Sequence, residues 1–312
     1  MPTWDRSQSS VESLALLWAA RETGVIDALT TNAGTADAVA AEAGIEPRAA
    51  SIAVESLAEI GFIKRVGDEY EITNRALGFL AKRDVRSIGR LPHALDSFSL
   101  YTDLPETMAT GEPPTLPDDW LRNRLGAHDA TDDAVVRACV TAAVRESPDA
   151  TRVLDLAAAS GVFAREFRAR GRNVTVLDDA ETVEVVRPLL SRAGIELVAG
   201  DPTTPPVSGF GLVFVGDAFA GRDPAEAKSL VAGAYRALAP GGVAVFIDTI
   251  HGRCSTAATT RRAAAALATG RGALYDDATI RSWVESAGFE RQMVREVPGT
   301  ELQAVVAERA VD

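Results

Sequence analysis

"VLDLAAASGVFAREFRARGRNVTVLDD", residues 153–179, has the pattern of a strand, a tight turn, a helix and a second strand that ends in two acids. In open α/β sheets, ligands bind beyond the carboxyl ends of the strands, at the point where the strand order reverses. The turn of small residues at 157–161 is therefore the predicted ligand loop.

The same alternation continues toward the end of the chain. We predict strands at 152–156, 173–177, 195–199, 211–215 and 243–249, and helices near 162–170, 181–193, 224–238 and 277–287. Asp223 is the predicted N-cap of the third helix, with Pro224 at its first position. The runs "GFERQMVREV" and "ELQAVVAER", on either side of Pro298-Gly299, predict a β-hairpin. The fold class is thus a doubly wound α/β domain, mostly parallel, with one antiparallel closing strand.

The N-terminal part follows another pattern. Residues 10–29 place apolar side chains at helical spacing. Two further helices are predicted at Thr35–Ala43 and Glu46–Glu59, the second of which ends at Gly61. The run "FIKRVGDEYEIT" then predicts a hairpin that turns at Gly67-Asp68. Helix, turn, helix and hairpin in this order indicate a winged helix.

The region between these two parts is predicted to be helical. A Pro-rich break, "TGEPPTLPDD", interrupts it, and "ATDDAVVRACVTAAVRES" restores helical periodicity. We therefore divide the chain into a winged-helix domain at 1–86, a helical linker at 87–148 and the α/β domain at 149–312.

Composition excludes several classes of partner. The formal net charge is -12, and only three of the 32 basic residues are lysines. An acidic surface of this kind is typical of proteins from a salt-rich (halophilic) cytoplasm, although a GC-rich genome also favours arginine over lysine. It disfavours nucleic acids and anionic membranes. The predicted reading helix supports this, because Arg48 is its one basic residue against three glutamates.

Other sequence features indicate a cytoplasmic protein. The N-terminus lacks the apolar core of a signal peptide, and no apolar run approaches the roughly 20 residues of a membrane span. Cys139 and Cys254 have neither metal-ligand spacing nor the pattern of a disulfide framework, and we expect them to be small apolar residues. No metal site is predicted, since the His and Cys residues are scattered.

Acids follow several predicted strands at the ligand-binding edge. Asp155 lies just inside the end of the first strand. Asp178 and Asp179 close the second, where an acid can accept hydrogen bonds from ribose hydroxyls. Asp201 follows the third and is placed to bind an adenine amino group or to shape its own loop. The alternative is a structural α/β sheet with ordinary turn acids.

The ligand loop itself departs from the glycine-rich pattern. Glycine allows tight turns and close approach of the backbone to a ligand. Here Ala157 and Ala159 each add a methyl group, and Gly161 remains at the start of the helix. We expect the methyl group to be tolerated at 157, but at 159 it could clash with a ligand or shift its pose.

Together with the flanking domains, these residues resemble the two-domain class I S-adenosylmethionine-dependent O-methyltransferases that act on acetylserotonin, caffeate or hydroxyneurosporene. "VLDLAAASG", "VTVLDD" and "AGDPTT" resemble the first three cofactor motifs of that family. "LPETMATGEPP" resembles its domain linker, "AYRALAPGG" the segment before strand five, and "SWVESAGF" the helix before the final hairpin.

The resemblance implies a Rossmann-like fold, S-adenosylmethionine as cofactor and a homodimer formed by the N-terminal domain. Asp178 would bind the ribose, and Asp201 with Pro202 would flank the adenine. Residues 155–161 would wrap the methionine portion, and Gly216 belongs to the same site. In the linker, His93 and Phe98 would roof the pocket of a small-molecule acceptor.

The catalytic base is the second departure from the family. Phenol methylators of this family carry a histidine shortly after strand four, and Ala220 occupies that position here. A phenol has a pKa near 10, and a positioned base typically accelerates proton transfer by about 10²- to 10⁴-fold. The remaining candidates are Asp217 after strand four, Asp248 at the end of strand five, His251 just beyond it, and His93. Asp217 would need a pKa raised by burial. Alternatively, an acceptor that is already ionised needs only proximity and orientation.

The sequence therefore favours a methyltransferase acting on a hydroxyl or carboxyl group of a small aromatic or apolar acceptor. Three alternatives stay open. One is a catalytically degenerate, methyltransferase-like homodimer, suggested by Ala159 and Ala220. Another is a winged-helix regulator with a ligand domain, and the last is a nicotinamide enzyme.

Overall fold

The computed structural model describes residues 10–31, 34–73, 76 and 85–311. The chain forms two compact units. The N-terminal unit runs up to Thr102 and takes in Pro117–Ala130, and the C-terminal unit comprises Asp103–Leu116 and the chain from Thr131 onward. The predicted linker at 87–148 thus contributes residues to both units.

The elements follow in chain order. The first part contains α1 (Val11–Glu22), α2 (Val25–Thr31), α3 (Ala36–Ala43), α4 (Pro47–Glu59), β1 (Ile63–Val66), β2 (Glu69–Ile72), α5 (Val85–Ile88), α6 (Leu91–Thr102), α7 (Leu104–Thr110), α8 (Trp120–Asp129) and α9 (Asp133–Glu146). The α/β part contains β3 (Arg152–Leu156), α10 (Val162–Ala169), β4 (Asn173–Asp178), α11 (Ala180–Arg192), β5 (Glu196–Ala199), β6 (Phe210–Gly216), α12 (Pro224–Ala237), β7 (Leu238–Asp248), α13 (Thr256–Thr269), α14 (Asp277–Ala287), β8 (Arg291–Glu296) and β9 (Gln303–Glu308).

Local capping explains the N-terminal helices. The Thr35 hydroxyl accepts a hydrogen bond from the Ala38 amide at the start of α3, which ends in the left-handed Gly44. The Glu46 carboxylate caps α4 in the same way, with Pro47 in the first turn. Such caps are typically worth about 1 kcal/mol each. Antiparallel β1 and β2 follow α4, so helix, turn, helix and hairpin occur in the predicted order.

The seven-stranded sheet has the order β5-β4-β3-β6-β7-β9-β8. Strands β3 to β7 pair in parallel, and β9 is antiparallel to both of its neighbours. The predicted fold class, including the single antiparallel closing strand, is confirmed. Chain order reverses between β3 and β6, which is where ligands bind in such sheets.

The central strands are buried on both faces, as expected for a parallel sheet covered by helices. Val153, Leu154 and Leu156 in β3 are fully buried. Phe163 and Phe167 of α10 pack on Phe214 of β6, with ring centroids 5.1 and 5.2 Å apart. This packing fixes α10, and with it the ligand loop, against the centre of the sheet.

Two local features differ from the sequence predictions. Asp223 occupies the N-cap position of α12, but its side chain makes no capping bond and instead accepts one from the Gly272 amide. Helix α13 was not predicted at all. Ser255 caps its start and Gly270 ends it, but Ala258 and Ala268 are its only buried residues. The weak apolar periodicity of this alanine-rich segment is the reason it was missed.

Candidate functional site

The ligand loop follows β3 at the reversal point of the sheet. Ala157 and Ala159 both have left-handed backbone conformations, with φ values of 57° and 49°. Such a conformation costs an L-residue roughly 1–2 kcal/mol. Gly161, with φ of 70°, begins α10, and a Cβ there would lie 2.6 Å from Leu190. The loop therefore keeps the shape of a glycine-rich turn although two of its left-handed residues are alanines.

Asp178 links this loop to the end of β4. One carboxylate oxygen accepts a hydrogen bond from the Ala159 amide at 2.8 Å, and the other accepts one from the Asp179 amide at 2.9 Å. The side chain is buried. Asp178 therefore fixes the ligand loop to the end of β4 at the reversal point of the sheet.

Asp155 lies beneath the loop and is fully buried. Within the described part of the chain, neither of its carboxyl oxygens has a hydrogen-bond partner. Burial, and secondarily the negative charge of Asp178, raises the pKa of Asp155 to about 8, against a weak opposing effect of the Ala164 amide. Asp155 is therefore protonated at neutral pH, and a cationic or hydrogen-bonding ligand would supply the partner it lacks.

Asp179 and Asp201, the other two acids predicted to bind the cofactor, each accept hydrogen bonds from residues that follow them closely in the sequence. Asp179 caps α11 by accepting bonds from the Thr182 amide and hydroxyl, both at 2.9 Å. Burial alone would raise the pKa of Asp179, but these hydrogen bonds hold it below its usual value. Asp201 is exposed and accepts bonds from the Thr203 amide and hydroxyl, which lower its pKa.

Two more predicted positions are shaped by packing. Gly216 ends β6, and a Cβ there would lie 2.6 Å from the Phe163 ring, so only glycine fits. Pro202 is half-buried after Asp201, and its carbonyl oxygen lies against Gly233 of α12. Both positions set the course of loops at the carboxyl edge of the sheet.

The ends of β6 and β7 carry the candidate bases. Asp217 has a left-handed φ of 47° and is exposed. The burial assumed for its predicted role as a base is therefore not observed. Ala220, in the same loop, is half-buried and offers no proton acceptor.

Asp248, which is 1% exposed, has the opposite environment. Its carboxylate accepts bonds from the Phe219 and Thr249 amides, both at 2.6 Å, and forms an ion pair with Arg262 of α13. A carboxylate held by this many donors is a structural anchor rather than a proton acceptor poised for catalysis.

Arg262 is the residue that the sequence analysis missed, since it lies on the unpredicted helix α13. Besides Asp248, it donates to the Thr249 hydroxyl at 2.7 Å. It borders a small cavity of ≈ 10 Å³ together with His251, Cys254 and Tyr275, which is about the space of one water molecule. His251 is exposed, and its backbone amide donates to the Tyr275 carbonyl. The paired "RR" at 261–262, inside an alanine run, was the available signal.

His93 and Phe98, the predicted acceptor residues, both lie on α6 in the N-terminal unit. The His93 ring packs edge-on against Trp120, with centroids 4.7 Å apart. Burial lowers the pKa of His93 to about 4, and Arg124 adds to this while Asp96 opposes it. Phe98 packs on Trp18 at 5.5 Å. His93 is therefore neutral at pH 7, and the acceptor role of both residues stays a prediction.

Among the described residues, no group of three or more His, Cys, Asp or Glu side chains could hold a metal ion. No helix in the described ranges has the length and apolar character needed to cross a membrane.

Comparison with known proteins agrees with this geometry. Residues 153–242 match the family described as "Methyltransferase domain". Human N-acetylserotonin methyltransferase, solved with SAM, is 19% identical over 96% of this chain and 94% of that chain, with a TM-score of 0.68. No curated protein matches the sequence.

Two other solved structures are similar over the same extent. PigF, solved with SAH, is 16% identical over 96% of each chain with a TM-score of 0.72. The mitomycin 7-O-methyltransferase MmcR is 18% identical over 95% of this chain and 94% of that chain, with a TM-score of 0.67. Residues 153–242 thus match a methyltransferase domain, and the chain shares the fold of these solved methyltransferases.

Proposed function

We propose that the chain is an S-adenosylmethionine-dependent O-methyltransferase whose acceptor is a hydroxyl or carboxyl group of a small aromatic or apolar molecule. The observation that carries this proposal is the buried Asp178 carboxylate, bonded to a glycine-type loop at the reversal point of a methyltransferase sheet. O-methylation is supported by the similar solved enzymes, which include a 7-O-methyltransferase.

The residues fit the cofactor. The Asp178 carboxylate lies where it can accept hydrogen bonds from the ribose hydroxyls, and the orphaned carboxyl of Asp155 offers hydrogen-bonding positions to the methionine portion. Asp201 and Pro202 would border the adenine. At Ala159 the added methyl group would shift the pose of the cofactor. When bound, the cofactor supplies an electrophilic methyl group on a sulfonium.

The protein contributes orientation rather than a strong base at position 220. Well-oriented reactants gain an effective concentration of up to about 10⁵–10⁸ M, which suffices for an acceptor oxygen that is already nucleophilic. His251 remains a candidate proton acceptor because it borders the cavity beside Arg262.

The N-terminal unit is proposed to be a winged-helix dimerisation domain. Its α1 and α4 expose the apolar side chains of Val11 and Ile52. Light scattering should give twice the chain mass of 32.9 kDa, and a concentration-independent monomer would refute the dimer.

A catalytically degenerate scaffold is the second candidate. The observations in its favour are the strained alanines of the loop and the missing base at Ala220. In that case the cofactor would bind without turnover, or not at all.

One pair of measurements tests the proposal. Calorimetry with S-adenosylmethionine and S-adenosylhomocysteine measures binding, and transfer of a labelled methyl group into a panel of phenols and carboxylic acids measures turnover. Binding with transfer supports the enzyme. Binding without transfer to any acceptor favours a scaffold that holds the cofactor. The absence of binding refutes both the enzyme and the cofactor-binding scaffold.

A further inference from the structure

Arg262 projects from α13 to the carboxyl ends of β6 and β7, where the acceptor of the proposed reaction would lie. A guanidinium has five N–H donors, and only those on Nη2 are bonded, to Asp248 and Thr249. Over the described ranges, Nε and Nη1 have no hydrogen-bond partner in the structure. The Arg262 side chain is 16% exposed, so these donors are partly desolvated yet accessible.

Acidic and basic side chains both surround Arg262. Asp217 and Asp248 supply two negative charges at this edge; burial lowers the pKa of Arg262, and Asp217 and Tyr275 oppose this effect. Arg222 supplies a second positive charge and donates to the carbonyl oxygens of Asp217 and Ala218. His251, Cys254 and Tyr275 are the other titratable groups that border the cavity. Asp223 and Glu226 add negative charge that acts on Tyr275 at this cavity, so the binding of an anion there depends on the directed donors of Arg262.

The size of the cavity limits what can occupy it. With ≈ 10 Å³, it holds one oxygen atom of a ligand or one water molecule. A guanidinium binds carboxylate and phenolate oxygens strongly because the hydrogen bonds are charge-assisted. The cavity and the two unused donors are thus suited to a single anionic oxygen.

We propose that Arg262 determines acceptor specificity by binding the reacting group as an anion, so that the enzyme methylates carboxylic acids and acidic phenols or enols rather than ordinary phenols. This inference rests on the proposed function. The acceptor oxygen donates an electron pair to the methyl carbon, and the carbon–sulfur bond breaks with its pair left on sulfur. The negative charge of the oxygen and the positive charge of the sulfonium are both lost, and no proton moves. The absence of a histidine at Ala220 is then a consequence of the acceptor class.

His251 as a general base is the competing explanation for the same cavity. A base would make ordinary phenols good acceptors, and activity would fall when His251 is removed. Electrostatic selection by Arg262 predicts instead that activity follows the ionised fraction of the acceptor. The two mechanisms can be separated with the wild-type protein alone.

The first experiment uses graded acceptors and labelled S-adenosylmethionine. Benzoate, 4-nitrophenol and phenol are compared at pH 7 and pH 9. We expect transfer to benzoate and 4-nitrophenol at least 10-fold above transfer to phenol at pH 7, with phenol improving as the pH rises. Equal rates for phenol and 4-nitrophenol at pH 7 would overturn the proposal.

The second experiment measures binding without turnover. The visible absorbance of 4-nitrophenol, titrated with pH in the presence of protein and S-adenosylhomocysteine, reports the pKa of the bound phenol. We expect this pKa to lie below the solution value with wild-type protein and to return toward it with R262Q. R261Q, which changes the exposed neighbouring arginine, should behave as wild type. An unchanged pKa in the bound wild-type complex contradicts the proposal.

Variants that alter folding are controlled for separately. R262Q leaves Asp248 without its ion pair, so D248N/R262Q is made in parallel and both are melted. R262K keeps the positive charge but loses the planar set of N–H donors of the guanidinium. It should retain part of the preference for anionic acceptors. Loss of activity in H251A with an intact preference in R262Q would favour the general base. Calorimetry with S-adenosylhomocysteine tests the proposed function independently. If the proposed function is wrong, neither the wild type nor any variant will bind this cofactor product.

Discussion

Asp155 and Asp248 occupy comparable places, at the carboxyl ends of β3 and β7, and both are almost completely buried. Asp248 accepts two amide hydrogen bonds and an ion pair from Arg262. In the described ranges, Asp155 has no hydrogen-bond partner for either oxygen. Asp248 is thus fixed by contacts within the protein, whereas both carboxyl oxygens of Asp155 can accept a contact from a ligand.

The difference shows how a buried acid can be read as structural or functional. A buried charge is tolerated when it is paired and hydrogen-bonded, and otherwise the group becomes neutral. Asp248 follows the first course and fixes the loop at Phe219 and Thr249. Asp155 follows the second, with its pKa raised to about 8 mainly by burial. Only the unpaired acid can respond to a ligand at neutral pH.

The largest expected effect follows from removing the carboxylate of Asp248, the paired acid. Asp248→Ala removes the acceptor of two amides and deprives the partly buried Arg262 of its ion-pair partner. Breaking a buried pair in this way costs about 3–5 kcal/mol. Urea unfolding followed by circular dichroism should show a loss of stability of that size. Thr249→Ala, which removes one hydrogen bond from the same arginine and leaves the ion pair, is the control and should cost about 1.5–3 kcal/mol. A loss below about 1 kcal/mol in Asp248→Ala would mean that the pair contributes little.

The next effect tests the unpaired acid through pH. With a folded pKa of about 8 against an ordinary value of 3.8, the native state binds one more proton than the unfolded state between these values. The free energy of unfolding should therefore fall as the pH rises, by about 1.4 kcal/mol per unit from this group alone. Relative to Asp155→Asn, the wild type should lose about 3 kcal/mol between pH 5 and pH 7. Parallel pH profiles of the two proteins would show that Asp155 is ionised in the fold.

The third prediction concerns Asp178, the acid bonded to the ligand loop, and its effect on cofactor affinity. Asp178→Ala should weaken the binding of S-adenosylhomocysteine by roughly 1–3 kcal/mol, because charge-assisted hydrogen bonds to the ribose are lost. Asp179→Ala is the matched control. The Asp179 carboxylate is next to Asp178 in the sequence but caps α11, so its loss should affect stability rather than affinity. Calorimetry that gives equal affinities for Asp178→Ala and wild type would place the ribose elsewhere.

Sequence patterns predicted the strands and the mostly parallel sheet well because buried parallel strands leave long apolar runs. They also located the acids at the strand ends, since the chain position of a strand end is a local property. What they missed depends on contacts between distant segments. Arg262 and Asp248 are 14 positions apart, and α13 buries too few residues to leave a periodic trace. The burial of Asp155 and the exposure of Asp217 likewise follow from packing, which no local pattern records.

The smallest effect concerns the alanines that shape the loop over Asp155. Ala157 and Ala159 have left-handed φ values of 57° and 49°, whereas Ala158 between them does not. Glycine relieves a strain of roughly 1–2 kcal/mol but adds about 0.4–1 kcal/mol of unfolded-chain entropy. Ala157→Gly and Ala159→Gly should therefore each stabilise the protein by up to about 1 kcal/mol. Ala158→Gly should destabilise it by about 0.4–1 kcal/mol. Thermal melts of the three variants decide the matter, because equal destabilisation by all three would mean that the loop has no left-handed alanines.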